Sequence, residues 1–372
     1  MTRDELTQAH DVLTEVRGQV GCITLNRPRA LNALSLPMIR AIAQTLLTWR
    51  DDAAVKAVAV RGSSKQGVFG AFCAGGDIRF FHKAALAGNP QLEDFFTEEY
   101  ALNHLIHSYS KPYIAFMDGV VMGGGMGISQ GASLRLVTEN TKMAMPETLI
   151  GLFPDVGGGY FLSRCPGRTG EWLALTGETI DAGDAGRLGL ADRRMDSVQL
   201  APAWDALAGL DLERAGALQT WVATYSTPCG EGALKDATEI DRYFSLPTVP
   251  HIIAALEAAD TAWARHTAVT LRNRSPMMLH VVLEQVRRAR GMSLADDLRM
   301  ERDLVRHCFN THHLARSGAA SETVEGVRAL AVDKDHRPVW TPARIEEVTP
   351  EMVLPFFVSP WPAHAHPLAH LG

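Results

Sequence analysis

Gly123-Gly124-Gly125-Met126-Gly127 stands a few residues after the apolar run Tyr113-Ile114-Ala115-Phe116-Met117. Four glycines in five positions make a segment that is entropically costly to order, so the chain gains something there that side chains would block. Between a strand and a helix, such a loop turns N–H groups toward whatever lies at the helix N-terminus, where developing negative charge is stabilised. Close packing of a helix on a sheet is the plainer alternative. The spacing is neither the GxGxxG of a dinucleotide site nor the GK[ST] ending of a phosphate loop. Overlapping it, Gly127-Ile128-Ser129-Gln130-Gly131 matches the GxSxG elbow of serine hydrolases. That elbow needs its serine on the strand-to-helix turn itself. Ser129 falls beyond the glycines, where the helix has begun, and is read as a decoy.

On either side, short apolar runs alternate with helical spacing. Val20–Leu25, Val55–Val60, Tyr113–Met117, Leu134–Val137 and Lys142–Met145 read as strands. Pro37–Trp49 reads as a helix, its proline placed early, where a missing N–H costs nothing. The alternation predicts an α/β architecture. After about residue 200 the strand signals fade. Ser245-Leu246-Pro247-Thr248-Val249-Pro250 reads as a linker, and His251–His266, Met277–Arg290 and Leu294–Phe309 have helical spacing. The expected division is a core over residues 1–245 and a helical extension over 246–372.

The bulk numbers narrow the function classes. A chain of 372 residues, 46% hydrophobic and 21% charged, suits a globular core with a smaller partner. A net charge of −6 gives no electrostatic reason to expect nucleic acid or an anionic membrane as partner. No run approaches the roughly 18 apolar residues of a membrane helix. The opening MTRDELTQAH lacks the apolar stretch of a targeting peptide, and the closing AHLG is no peroxisomal tripeptide. Cys22, Cys73, Cys165, Cys229 and Cys308 are scattered and odd in number, which argues against a disulfide framework or a zinc site and for a reducing, cytoplasmic setting. His104 and His107 share a helix face and His312-His313 are adjacent, but no acid or cysteine at ligand spacing accompanies them, so no metal is expected.

Acids in unusual settings supply the candidate chemistry. Met145-Pro146-Glu147 is followed eight residues on by Asp155, within Pro154-Asp155-Val156-Gly157-Gly158-Gly159. Leu149, Ile150, Leu152 and Phe153 lie between, so both acids sit in apolar loops, where desolvation raises a carboxyl pKa and suits proton transfer near neutral pH. The plain alternatives are a helix cap for Asp155 and a solvated strand end for Glu147. Glu99 falls within the apolar stripe Leu92, Phe95, Phe96, Leu102, Ile106 of a predicted helix, while Glu98 faces solvent. An acid on an apolar face is costly unless paired or used. Phe72-Cys73-Ala74-Gly75-Gly76-Asp77-Ile78 is a second glycine turn, either a close approach of backbone to a ligand or a tight turn capped by Asp77.

These pieces in this order, with Leu25-Asn26-Arg27-Pro28 and Leu31-Asn32-Ala33-Leu34 ahead of them, resemble the crotonase (enoyl-CoA hydratase/isomerase) superfamily. The resemblance implies a crotonase-like spiral of ββα units with a C-terminal helical region, and an acyl-CoA substrate whose carbonyl is held by the amides of Gly76 and Gly124. Hydratases of that superfamily carry a glutamate three residues after the second of these glycines; here the position is Gly127. Their second glutamate matches Glu147. Where they have a small residue, this chain has Asp155. The string from Ala144 to Leu162, Phe95-Phe96 with Glu98-Glu99-Tyr100, and Gly326-Val327-Arg328-Ala329 with Asp333-Lys334-Asp335 resemble the superfamily's thioester hydrolases acting on short 3-hydroxyacyl chains, a step of valine catabolism.

On that resemblance Glu147 activates water or attacks the carbonyl. Asp155 orients water or the substrate hydroxyl and passes a proton to the leaving thiolate. Glu99 contacts the substrate, as do Gly124, Glu147 and Asp155. Arg27, Arg29 and Arg79 are candidates for the coenzyme A phosphates. No metal or redox cofactor is implied, coenzyme A being part of the substrate. The resemblance further implies a homo-oligomer, unless the helical extension replaces those contacts. The rival readings are an enoyl-CoA hydratase or isomerase and a catalytically silent acyl-CoA-binding protein.

Overall fold

The computed structural model describes residues 11–65, 67–234 and 237–372; the opening decapeptide, where no targeting segment is expected, lies outside them. Two compact units interleave along the chain. One takes the residues up to Gly76, Ala101–Ala144 and Thr179–Leu234; the other takes Asp77–Tyr100, Met145–Glu178 and the chain beyond Leu234. The boundary expected at residue 245 follows the loss of strand signals along the chain, whereas these units follow contacts.

The first unit contains β1 (Val12–Arg17), β2 (Val20–Leu25), β3 (Ala57–Gly62), β4 (Tyr113–Met117), β5 (Val120–Met122), β6 (Leu134–Val137), β7 (Lys142–Ala144) and β8 (Arg193–Arg194). Six form one sheet in the order β1-β2-β3-β4-β6-β8, and β5 pairs with β7 in a second. All neighbours are parallel except β1 and β2, which pair antiparallel with Arg17 opposite Val20. The central strands read as unbroken apolar runs because both faces are covered. Across one face Val20, Cys22, Ala59, Ile114, Phe116 and Leu136 pack with Trp204 and Trp221. Burying a large apolar side chain of this kind contributes about 1.5–3 kcal/mol. The Leu36–Asp51 helix buries Ile39, Ile42, Leu46 and Trp49. The Trp49 ring comes so close to Gly21 that a Cβ there would lie 2.4 Å from it.

Three expectations shift. The edge strand β1 was not expected: its four middle residues are exposed, so it shows no buried face in the sequence. The Val55–Val60 strand begins instead at Ala57, because the N–H groups of Lys56 and Ala57 both turn to the Gln19 carbonyl. The second unit is helical, but the helix expected over His251–His266 is two, Val249–Glu257 and Ala262–Arg272. Thr261 caps the second by accepting the Ala264 N–H at 3.1 Å, which resets the helix. Thr248, in the expected linker, caps the first. Pro276–Ala289 and Leu294–Phe309 lie where their spacing puts them. Among the described residues no helix is long and apolar enough to cross a membrane.

Candidate active site

In the first unit the two glycine segments run side by side. The Cys73 N–H donates to the Val120 carbonyl and the Met122 N–H to the Cys73 carbonyl, each at 3.0 Å. Gly75 lies at φ 106, a conformation that excludes a side chain, and a Cβ there would stand 3.7 Å from the Gly124 nitrogen. A Cβ on Gly125 would lie 2.4 Å from the Cys73 carbonyl oxygen. Gly124 opens the Gly124–Gln130 helix, where backbone donors have no partner within the helix. Among the described residues no protein acceptor takes the N–H of Gly76 or of Gly124.

The decoy and the cap are both settled by their hydrogen bonds. Ser129 is fully buried inside that helix and donates to the Gly125 carbonyl at 2.8 Å, so it stands on no elbow. Asp77 accepts the Phe80 N–H as cap of the Ile78–Ala87 helix. Asn32 of the Leu31-Asn32-Ala33-Leu34 motif is structural as well: its amide accepts the Arg27 N–H and donates to the Ser63 and Ala71 carbonyls. Arg27, a candidate for phosphate, gives one guanidinium N–H to the Ala33 carbonyl at 3.1 Å. Arg29 is exposed.

In the second unit three acids come together: Glu99, Glu147 and Asp155, 2%, 7% and 6% exposed. The solvated strand end does not apply to Glu147. It opens the short turn Glu147–Ile150. Gly326 lies against this turn so closely that a Cβ would fall 2.4 Å from the Ile150 carbonyl carbon, and Thr148 donates to the Leu175 carbonyl. Nor is Asp155 a helix cap. Gly157 holds the cap position of the Gly158–Leu162 helix, and the Asp155 carboxyl instead accepts the Tyr100 hydroxyl at 2.9 Å.

Glu99 Oε1 and Glu147 Oε2 are buried without a hydrogen-bond partner among the described residues, which in a native fold calls for a ligand or a function. Burial, then repulsion from Asp155 and Glu147, holds the Glu99 carboxyl well above the usual carboxylate range. Burial and Asp155 push Glu147 the same way. Burial raises Asp155 to about 7, held back by the Tyr100 hydroxyl. Repulsion among the three disfavours ionising all of them together.

Behind this trio stand two further buried acids that sequence reasoning missed. Glu301 accepts the N–H groups of Gly157 and Gly159 at 2.7 and 3.0 Å, and Asp297 accepts that of Tyr160 at 2.8 Å. Both lie on the Leu294–Phe309 helix among Leu294, Leu298, Leu304, Val305 and Cys308. The signal that exposes Glu99, an acid inside an apolar helical stripe, finds them too. Elsewhere in the same unit Arg79, His82, Lys83 and Lys334, with Leu86 and Val332, line a recess of about 720 Å³. Asp333 and Asp335 each accept from Arg328 at 2.7 Å and so flank Lys334 with a fixed turn. Among the described residues no group of three His, Cys, Asp or Glu side chains is arranged to hold a metal ion.

A family model described as enoyl-CoA hydratase/isomerase matches residues 20–357. The chain belongs to the enoyl-CoA hydratase/isomerase family and has its crotonase fold. Within that family it is 40% identical to the mitochondrial 3-hydroxyisobutyryl-CoA hydrolase of Danio rerio, over 92% of this chain and 88% of that one. It is 38% identical to the enzyme of that name from Homo sapiens, over 92% and 87%. Among solved structures it resembles a carnitinyl-CoA dehydratase from Mycobacterium thermoresistibile, with a TM-score of 0.85 and 38% identity over 94% of this chain and 96% of that one. It also resembles an enoyl-CoA hydratase from Rhodobacter sphaeroides, with a TM-score of 0.82 and 35% identity over 94% and 98%.

Proposed function

We propose that this chain hydrolyses a short 3-hydroxyacyl-CoA thioester, 3-hydroxyisobutyryl-CoA in first place, to the free acid and coenzyme A, as a step of valine catabolism. The observation that carries the reading is the buried pair Glu147 and Asp155, one with an unpartnered carboxyl oxygen and the other poised near 7. The vertebrate relatives that bear the hydrolase name support it.

In the proposed reaction the amides of Gly76 and Gly124 donate to the thioester carbonyl oxygen as an oxyanion hole. Each such donor is typically worth a factor of about 10²–10³. Glu147 takes a proton from water as the water oxygen bonds to the carbonyl carbon; attack by Glu147 itself, giving a mixed anhydride, is the other route. The tetrahedral oxyanion collapses, the C–S bond breaks, and the proton passes through Asp155 to the thiolate. Asp155 therefore enters the cycle ionised. Glu99 accepts the substrate's 3-hydroxyl; a buried acceptor left unpaired by a substrate lacking that group would discriminate strongly. The cationic recess around Arg79 and Lys334 takes the phosphates of coenzyme A. Residues 1–245 carry the groups that act on the acyl chain, and 246–372 form an extension that supports them. No metal or redox cofactor enters.

The five cysteines are buried and form no disulfide among the described residues, which suits a reducing compartment such as the cytoplasm. The mitochondrial relatives make the mitochondrion the alternative. Self-association is part of the proposal and is read by sedimentation. A second reading, hydration of an enoyl-CoA, is favoured by the names of the two solved relatives; Gly127 in place of a second glutamate counts against it. Glu147→Gln and Asp155→Asn should each lower kcat for thiol release by orders of magnitude. Full activity in either variant removes that residue from the mechanism. Oxygen-18 from water entering Glu147 after one turnover marks the anhydride route.

A further inference from the structure

We infer that Glu301 and Gln285 are positioning residues for Asp155, gripping the backbone on both sides of it and holding a strained turn in the conformation that keeps its carboxyl on Tyr100. The inference rests on the proposed role of Asp155.

On the N-terminal side, Gln285 Nε2 donates to the Pro154 carbonyl at 2.7 Å. On the C-terminal side, Glu301 accepts the Gly157 and Gly159 amides through separate oxygens. The two grips are joined, since Gln285 Nε2 also donates to Glu301 Oε1 at 3.2 Å. Both side chains are fully buried.

Between the grips lies Val156 at φ 57. A β-branched residue in the left-handed region is an outlier that persists only where its surroundings over-determine it. Gly157, at φ 88, continues the turn. The short helix that follows has no side-chain cap of its own, so a carboxylate from a distant helix supplies one. Without the grips, Val156 relaxes to an ordinary φ by a rotation of roughly 100° or more, and the carboxyl one residue before it leaves the Tyr100 hydroxyl.

A plain helix cap would use the same hydrogen bonds, so the test must separate capping from aiming. The full chain, as wild type, Glu301→Gln and Gln285→Met, is assayed for thiol release from 3-hydroxyisobutyryl-CoA, alone and combined with Asp155→Asn. Each single variant should lose about 10- to 100-fold in kcat, with KM within about threefold, and shift the midpoint of the acid limb of the pH profile. Neither should cost further activity once Asp155 is replaced. Losses that multiply in the Asp155→Asn background, or an unmoved acid limb, overturn the inference.

If Glu301→Gln does not fold, Gln285→Met carries the test. A titration that needs no turnover runs beside it: the carboxyl carbon of Asp155, labelled with carbon-13 and assigned by its loss in Asp155→Asn, is followed against pH. A midpoint displaced in the grip variants supports positioning, and an unchanged one refutes it. Wild-type protein that releases no coenzyme A overturns the hydrolase reading, and the titration then decides on the grip alone.

Discussion

Tyr100→Phe removes a single hydroxyl, the one that donates to Asp155 at 2.9 Å inside a buried pocket of acids. That bond favours the ionised carboxyl and holds its pKa down against burial. A hydrogen bond to a charged acceptor contributes about 1.5–3 kcal/mol, and one pKa unit corresponds to about 1.4 kcal/mol. Losing it should raise the Asp155 midpoint from about 7 by roughly one to two units. Near pH 7 the ionised fraction then falls from about a half to between a tenth and a hundredth. The assay is thiol release from 3-hydroxyisobutyryl-CoA across the pH range, with kcat and KM resolved separately. The expected result is a kcat lower by roughly 5- to 50-fold at neutral pH, an acid limb displaced upward, near-complete recovery on the alkaline side, and little change in KM. A loss of equal size at every pH would refute the reasoning, because the hydroxyl would then act on the substrate or the fold. So would a profile that does not move.

The same burial has a stability consequence. The folded pKa of Asp155 lies above its ordinary 3.8, so its contribution is fully present at pH below that value and lost as pH climbs through about 7. On the alkaline side the penalty is roughly 4 kcal/mol. Asp155→Asn should therefore resist urea better than wild type at alkaline pH while losing activity, with the advantage vanishing in acid. Ser129→Ala should keep full thiol release, since the hydroxyl serves only helix carbonyls; a loss beyond a hundredfold would revive the serine elbow. Arg79→Ala and Lys334→Ala should each raise KM for the coenzyme A thioester several-fold in a salt-dependent way. The thioester of N-acetylcysteamine, which lacks the phosphates, should be turned over unchanged, as comparison of the two substrates would reveal.

Much of the site was legible because its signals are local. Four glycines in five residues fixed a strand-to-helix loop, and distance from the strand was enough to discount Ser129. Glu99 was legible because helical periodicity put a charge where only apolar side chains belong. For Glu147 and Asp155 the apolar flanks suggested burial, but local chain chemistry kept a strand end and a helix cap equally open. Only tertiary partners closed those options: Tyr100 claims the Asp155 carboxyl, and Glu301 caps the Gly158–Leu162 helix from 142 residues away. Glu301 and Asp297 carry the same signal as Glu99, since they fall in the stripe of Leu294, Leu298, Val305 and Cys308, but the many charges of the Leu294–Phe309 helix drew the reading toward a solvated face. The edge strand β1 escaped for the opposite reason: hydrophobic pattern reports burial, and β1 has little. The break at Ala259-Asp260 turned on one capping hydroxyl, at a place where the apolar spacing runs on without interruption.

Cleavage of a thioester and addition of water to a double bond are told apart by one measurement. Purified chain is given 3-hydroxyisobutyryl-CoA with a thiol reagent, and crotonyl-CoA in a parallel cuvette read by loss of enoyl absorbance. Thioester cleavage gives stoichiometric free thiol from the first and leaves the absorbance of the second unchanged. Hydration of crotonyl-CoA with no thiol released from either substrate would contradict it.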